Sequence, residues 1–324
     1  MASLLHAEGL SKHYGATVAL DSVDFSVSHG VTGLLGPNGA GKSTAIKLFL
    51  GLIRPTAGRA LVMGDEPYRS PEARIRLGYM PEHDCLPNST SASEFLSHMA
   101  RVSGLPASEA RTRSADVLRH VGLDEERYRA IGEYSTGMKQ RVKLAQALVH
   151  DPVMIFLDEP TAGLDPVGRD EMLDLIRRIG TEFGISALVS THLMGDVERT
   201  CDNILVIEDG RVTEQGAVRG YTRETLTMFI EVDDRRDELV AALAERGLTA
   251  AWDGRGPVLI EDVRDEAFDA IRDALVASGA PLRRLAPERG QLSDIFRASG
   301  RQSAEDGGGG PGRRPTGGDG GSGR

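Results

Sequence analysis

The run Gly36-Pro37-Asn38-Gly39-Ala40-Gly41-Lys42-Ser43-Thr44 has the makings of a phosphate cradle. Glycines at this density let backbone N–H groups turn inward on phosphate oxygens. Lys42 adds positive charge at the β and γ groups of a nucleotide, and the Ser43 hydroxyl is placed to ligate Mg2+. Far downstream, Val153-Met154-Ile155-Phe156-Leu157-Asp158-Glu159 is an apolar run that stops abruptly on two carboxylates. A buried strand that delivers acids to a reaction centre has this form. Asp158 then holds Mg2+, directly or through water, while Glu159 polarises the water that attacks the γ-phosphate. A chance glycine turn or a solvated acidic strand end would account for either run alone. Together they define a P-loop nucleotidase, a description that GTPases, kinases and helicases share.

These residues need elements to position them. From Leu4 to about Gly216, short β-rich runs alternate with helical patterns, the mark of an α/β core around a largely parallel sheet. Strands are expected at Val31 to Leu35, Met154 to Asp158 and Ala187 to Ser190, with helical runs at Ala45 to Leu50 and Val142 to Val149. Between residues 84 and 150 the alternation stops, and Ser93 to Val102 and Glu109 to Val121 read as parts of a helical insert. A second pattern occupies 218–300: strand Met228 to Val232, helix Asp237 to Arg246, a hairpin turning near Trp252, Asp253 and Gly254, helix Ala267 to Ala277, and strand Leu282 to Leu285. That βαββαβ order predicts a small α+β accessory domain. The glycine-rich segment 301–324 lacks the apolar surface to offset ordering entropy and is expected to be disordered.

The middle of the chain selects the branch. Tyr134-Ser135-Thr136-Gly137-Met138-Lys139-Gln140-Arg141, just upstream of the acidic strand, resembles the LSGGQ signature of ATP-binding cassette (ABC) ATPases. Thr136, Met138 and Lys139 depart from the commonest form of that motif. Ser135, Gly137 and a helix N-terminus can present hydroxyl and N–H donors to a γ-phosphate bound by a second subunit. Other resemblances follow in family order. Tyr14 stands where the family places an aromatic ring against adenine, and Gly163-Leu164-Asp165 stands at the D-loop, which implies that Asp165 helps link two composite sites. His192 matches the switch histidine that contacts the γ-phosphate. Glu82, in Gly78-Tyr79-Met80-Pro81-Glu82, takes the place of the Q-loop glutamine and keeps an oxygen that can approach Mg2+.

The resemblance covers roughly Leu4 to Gly216. It implies a RecA-like P-loop NTPase core, residues 1–217, with an antiparallel β subdomain and the helical insert. It also implies an ATP- and Mg2+-dependent ATPase that works as a homodimer, or with a closely related second ATPase subunit, beneath a separate multi-span membrane permease. The style of the signature and the added C-terminal domain resemble bacterial export subunits for drugs, sodium or polysaccharides. Catalysis would rest on Glu159, His192 and Lys42. Nucleotide contacts would come from Tyr14, Gly36 through Thr44, Glu82, Ser135, Gly137, Asp158 and Asp165, with Ser43, Asp158 and Glu82 as the metal ligands.

Composition bounds the alternatives. A net charge of −10 opposes a general polyanion-binding role, so no nucleic-acid partner is expected. A rival, a soluble ABC ATPase acting on ribosomes or DNA, would need a tandem cassette, a coiled-coil arm or a zinc cluster, and the sequence shows none of these. Apolar runs are far shorter than the ~20 residues that cross a bilayer, and Met1 to Leu10 does not resemble a secretory signal. The expected location is cytoplasmic, peripheral on the inner membrane face through the permease. Cys85 and Cys201 match no metal-ligand spacing and read as reduced structural thiols.

Overall fold

A computed structural model describes residues 3–221, 224–252, 254–261, 263 and 267–289. The segment 301–324 and Asp253 of the expected turn lie outside the described residues. The chain divides into two compact units, the first ending at Tyr221 and the second beginning at Thr222.

The first unit opens with the antiparallel strands β1 (Leu5–Tyr14) and β2 (Thr17–Val27), joined by a turn in which Gly15 takes a φ of 59°. The core begins with β3 (Val31–Leu35) and α1 (Lys42–Phe49), and β4 (Ala57–Val62) then returns to pair with β1. Next come α2 (Pro71–Ile75) and β5 (Leu77–Met80), followed by the helical segment α3 (Ala92–Val102), α4 (Ala107–His120) and α5 (Thr136–Leu148). The chain re-enters the core through β6 (Met154–Asp158), α6 (Pro166–Glu182), β7 (Ser186–Thr191) and α7 (Met194–Thr200), and ends on β8 (Asn203–Glu208), β9 (Arg211–Ala217) and α8 (Val218–Tyr221). Helix α8 folds back on this unit: Val218 N–H donates to the Asp202 carbonyl at 2.9 Å and the Tyr221 hydroxyl donates to Glu214 at 3.1 Å. The boundary therefore falls just past residue 217.

The main sheet runs β5-β6-β7-β3-β8-β9, parallel except for β9, and the smaller sheet runs β2-β1-β4. Strands β3, β6 and β7 are buried along their whole length, as parallel strands covered on both faces must be. Because side chains alternate across a strand, β6 feeds two cores. Ile155 and Leu157 join the core built with α3–α5, while Met154 and Phe156 join the one built with α1 and the antiparallel sheet. This is the α/β core with antiparallel subdomain expected from the sequence.

Two helices start earlier than their apolar patterns. Helix α1 begins at Lys42, inside the phosphate loop, with Gly41 as its N-cap at φ 110°. Helix α5 begins at Thr136 because the Ser135 hydroxyl accepts from the Met138 N–H at 3.3 Å and caps it. Periodicity marks the buried face of a helix, whereas caps mark its start.

In the second unit β10 (Glu224–Val232), α9 (Arg236–Ala244), β11 (Ala250–Ala251), β12 (Val258–Ile260), α10 (Ala267–Ser278) and β13 (Leu282–Arg289) follow in βαββαβ order. The sheet order is β11-β12-β10-β13, all antiparallel, a split βαβ arrangement. Its core holds Met228, Ile230 and Val232 of β10 against Leu239, Leu243, Ile271 and Ala274 of the helices. Among the described residues no helix is long and apolar enough to cross a membrane.

Candidate active site

Register builds the site. Leu35 pairs with Thr191, Asp158 with Ser190 and Met80 with Leu157, so β3, β5, β6 and β7 end at nearly one level. Ligands of open α/β sheets bind beyond such carboxyl ends. The loops leaving them bring residues from four distant stretches into one cleft of about 360 Å³. Asn38, Gly39, Gly41, Lys42, Ser43 and Thr44 line it with Glu82, Glu159 and His192.

The loop is held close to its surroundings, and this is what its glycines permit. A Cβ on Gly36 would lie 2.1 Å from the Ile207 carbonyl oxygen, and one on Gly41 would lie 2.4 Å from that of Ala19. Lys42 is 7 % exposed, and its ammonium donates to the carbonyls of Gly36 at 2.7 Å and Pro37 at 3.1 Å. It also stands 3.8 Å from the Glu159 carboxylate. An ammonium so placed offers its charge to an anion in the cradle while its stem stays buried.

Asp158 and Glu159, adjacent in sequence, are separated in role by geometry. Asp158 is buried, and its Oδ1 accepts from the Ser190 hydroxyl at 2.6 Å and the Ser43 hydroxyl at 3.2 Å. Glu159 takes a φ of 47°, a left-handed conformation rare outside glycine, which turns its side chain off the strand line. Its N–H donates to Ser190 Oγ at 3.0 Å, and both of its carboxylate oxygens lie 3.2 Å from His192 Nδ1. Glu159 is thus clamped between a lysine and a histidine at the cleft wall.

The donor chemistry fits Mg2+. Ser43, Asp158 and Glu82 supply hard oxygens, and Ser43 already touches Asp158. Among the described residues no three His, Cys, Asp or Glu side chains form a self-sufficient metal cage. Mg2+ taking one or two protein oxygens and completing its shell from phosphates and water matches that arrangement.

Ser135, Gly137 and Asp165 are not in this cleft. They line a second one, with Thr136, Gly163 and Leu164. Asp165 caps α6, its carboxylate accepting from the Gly168 N–H at 3.3 Å. Tyr14 lines neither cleft. It is 48 % exposed, and the Lys12 ammonium lies over one face of its ring, 5.0 Å from the centroid. Neither cysteine lines the nucleotide cleft: Cys85 is exposed, and Cys201 packs at the edge of the helical core.

Three supporting residues were missed by sequence reasoning. Ser190 bridges Asp158 and Glu159, and a hydroxyl ending an apolar strand just before His192 was a legible clue. Asp196, 3 % exposed, accepts from Thr161 Oγ1 at 2.9 Å and from Arg169 Nε at 2.7 Å, with Arg169 Nη2 in contact as well. It joins the helix after His192 to both flanks of the Gly163–Asp165 turn. Lys143, also 3 % exposed, donates to the Pro81 and Glu82 carbonyls, each at 2.9 Å. Burial lowers its pKa from the usual lysine value, while Cys85, Asp84, Glu82 and Asp158 pull it back up. A lysine inside the apolar stretch Val142 to Val149 was the available signal.

Known proteins share this design. Residues 20–162 match the ABC transporter family. The chain is 34 % identical to the daunorubicin resistance ATP-binding protein DrrA3 of Streptomyces coeruleorubidus, over 89 % of this chain and 93 % of that one. It is 35 % identical to the Nod factor export ATP-binding protein I of Ralstonia nicotianae, over 92 % and 94 %. Among solved structures, cbiO1 of Clostridium perfringens, part of the ABC transporter complex cbiONQ, superposes with a TM-score of 0.63 at 33 % identity, covering 68 % of this chain and 90 % of that chain. The cleft's strand-end carboxylates and phosphate loop, together with the likeness to the two export and resistance proteins over most of both chains, establish that the chain belongs to the ATP-binding subunits of ABC transporters, ATPases that power transport.

Proposed function

We propose that two copies of this chain, or this chain and a closely related subunit, sandwich two ATP molecules and drive a separate multi-span permease in the direction of export. The observation that carries the sandwich is the separation of the two clefts: Ser135 and Gly137 line one, and the phosphate loop with Glu159 and His192 lines the other. A second copy supplying Ser135 and Gly137 completes each site, and Asp165 lies beside that junction. Export rests on the relative from Ralstonia nicotianae, which is named for Nod factor export and matches over most of both chains. Through the permease the subunit would sit on the inner face of the cell membrane. The ATPase proper is assigned to the first compact unit, through Tyr221, and the unit that follows to an accessory domain.

Within a site, Gly36 through Thr44 present backbone donors and Lys42 its charge to the phosphates, and Tyr14 stacks on the adenine. Ser43, Asp158 and Glu82 would hold Mg2+, which when bound would supply positive charge to offset that of the phosphates. Glu159, fixed between Lys42 and His192, orients the attacking water and accepts its proton. His192 holds Glu159 and senses the γ-phosphate. Closing the dimer on ATP and reopening it after hydrolysis converts nucleotide state into a population shift of the permease.

Glu159→Gln is the test. It keeps shape and hydrogen-bonding reach but removes the base, so ATP binding should persist while turnover falls by about three orders of magnitude or more. Gel filtration with ATP should show an accumulated dimer. Near-normal hydrolysis in that variant would overturn the role of Glu159, and a chain that stays monomeric with ATP would overturn the sandwich.

A further inference from the structure

We infer that Lys143 is a positioning residue for the ATPase reaction, a strut that makes the helix starting at Ser135 and the loop presenting Glu82 move as one piece. The inference deepens the proposed function and rests on its assignment of Ser135 to one nucleotide and Glu82 to another. Helix α5 has Ser135 as its N-cap, so a shift of that helix displaces the signature end directly. On its buried side, Lys143 reaches to Pro81 and Glu82 and donates to both carbonyls at 2.9 Å. Glu82 itself lines the nucleotide cleft. One side chain therefore spans from the element that reads the partner's nucleotide to the element that reads its own.

The neighbourhood shows a built contact. Val142, Leu144 and Ala145, on either side of Lys143, are fully buried, and a charged group in such a helix is unfavourable unless specifically compensated. Compensation is present: two carbonyl acceptors, and the surrounding groups Cys85, Asp84, Glu82 and Asp158, all of which favour the charged form. One turn earlier, at i−4 on the same face, Lys139 pairs with Asp84 at 3.7 Å. Two lysines thus pin residues 81–84 to α5 at successive turns. A methionine would fill the same volume, so packing alone does not account for an ammonium here.

The test compares Lys143→Met, Lys143→Arg and Glu159→Gln in the full chain. In nucleotide-free protein, hydrogen exchange of the amides of residues 82–86 should quicken by about tenfold in Lys143→Met, while β6 and β7 amides keep wild-type rates. Lys143→Arg, which retains two donors, should restore most of the protection. With MgATP, kcat of Lys143→Met should drop by roughly tenfold while KM changes less than about threefold, since docking of the loop is altered and the phosphate cradle is not. Glu159→Gln should lose hydrolysis yet keep wild-type exchange in the loop, which separates failure of the strut from failure of the ATPase assignment. Unchanged loop exchange in Lys143→Met, or a rise in KM with kcat intact, would overturn the inference. Should that variant not fold, Lys143→Gln, polar but too short to reach both carbonyls, is judged by the same exchange criterion.

Discussion

Replacing Asp196 by alanine offers a quantitative check on how the nucleotide cleft is held together. The carboxylate is 3 % exposed and accepts from Thr161 at 2.9 Å and from Arg169 at 2.7 Å, with a second guanidinium contact alongside. Breaking a fully buried pair costs about 3–5 kcal/mol. The Arg169 side chain retains 34 % exposure, so water recovers part of that loss, and about 2 kcal/mol remains for the ion pair. Leaving the Thr161 hydroxyl unpartnered adds about 1 kcal/mol. The sum, roughly 3 kcal/mol, lowers the melting temperature of a unit this size by about 6–12 °C. Differential scanning calorimetry of the full chain reads this directly, and Asp196→Asn, which keeps an acceptor for Thr161, should lose about half as much. A shift below about 2 °C for alanine would mean that solvent already screens the pair, and the buried-network reasoning would be wrong.

Gly41→Ala should lose ATP binding and about 2 kcal/mol or more of stability in urea unfolding, because the residue holds φ 110° and its new Cβ would press on the Ala19 carbonyl. Wild-type nucleotide affinity in that variant would contradict the tight-cradle account. Thiol reactivity gives a pH prediction. Burial pushes the Cys201 thiol up, and partial desolvation with the neighbouring Asp84 carboxylate, against the opposing pull of Lys143, pushes up that of the exposed Cys85, so the thiolate fraction at pH 7 lies below that of a free cysteine. Alkylation by iodoacetamide should therefore be slow at pH 7 and rise about tenfold per unit toward pH 9, with Cys85 reacting first because it is exposed. Fast labelling of Cys201 in the native chain would refute its burial.

What could be read from the sequence was whatever is local along the chain. A phosphate loop takes its donors from consecutive residues, so Gly36 through Thr44 declare it without a fold. A strand that ends on Asp158 and Glu159 carries its apolar run and its acids within seven positions, 153–159. The βαββαβ order of the second unit was likewise legible, because each element has its own periodicity. The starts of α1 and α5 were misplaced, since caps made by Gly41 and Ser135 lie outside the periodic stretch.

Tertiary structure decided what depends on strand order and register. The sequence β3, β5, β6, β7 becomes β5-β6-β7-β3 in the sheet, and only that rearrangement sets His192 against Glu159 and Glu159 against Lys42. The same packing puts Ser135 and Gly137 in a cleft apart from the phosphate loop, the separation on which the proposed two-copy site rests. Asp196 and Lys143 belong to this second class. Each is an unremarkable charged residue in sequence, and its meaning comes from partners 27–35 or 61–62 positions away, pairings that no local pattern encodes.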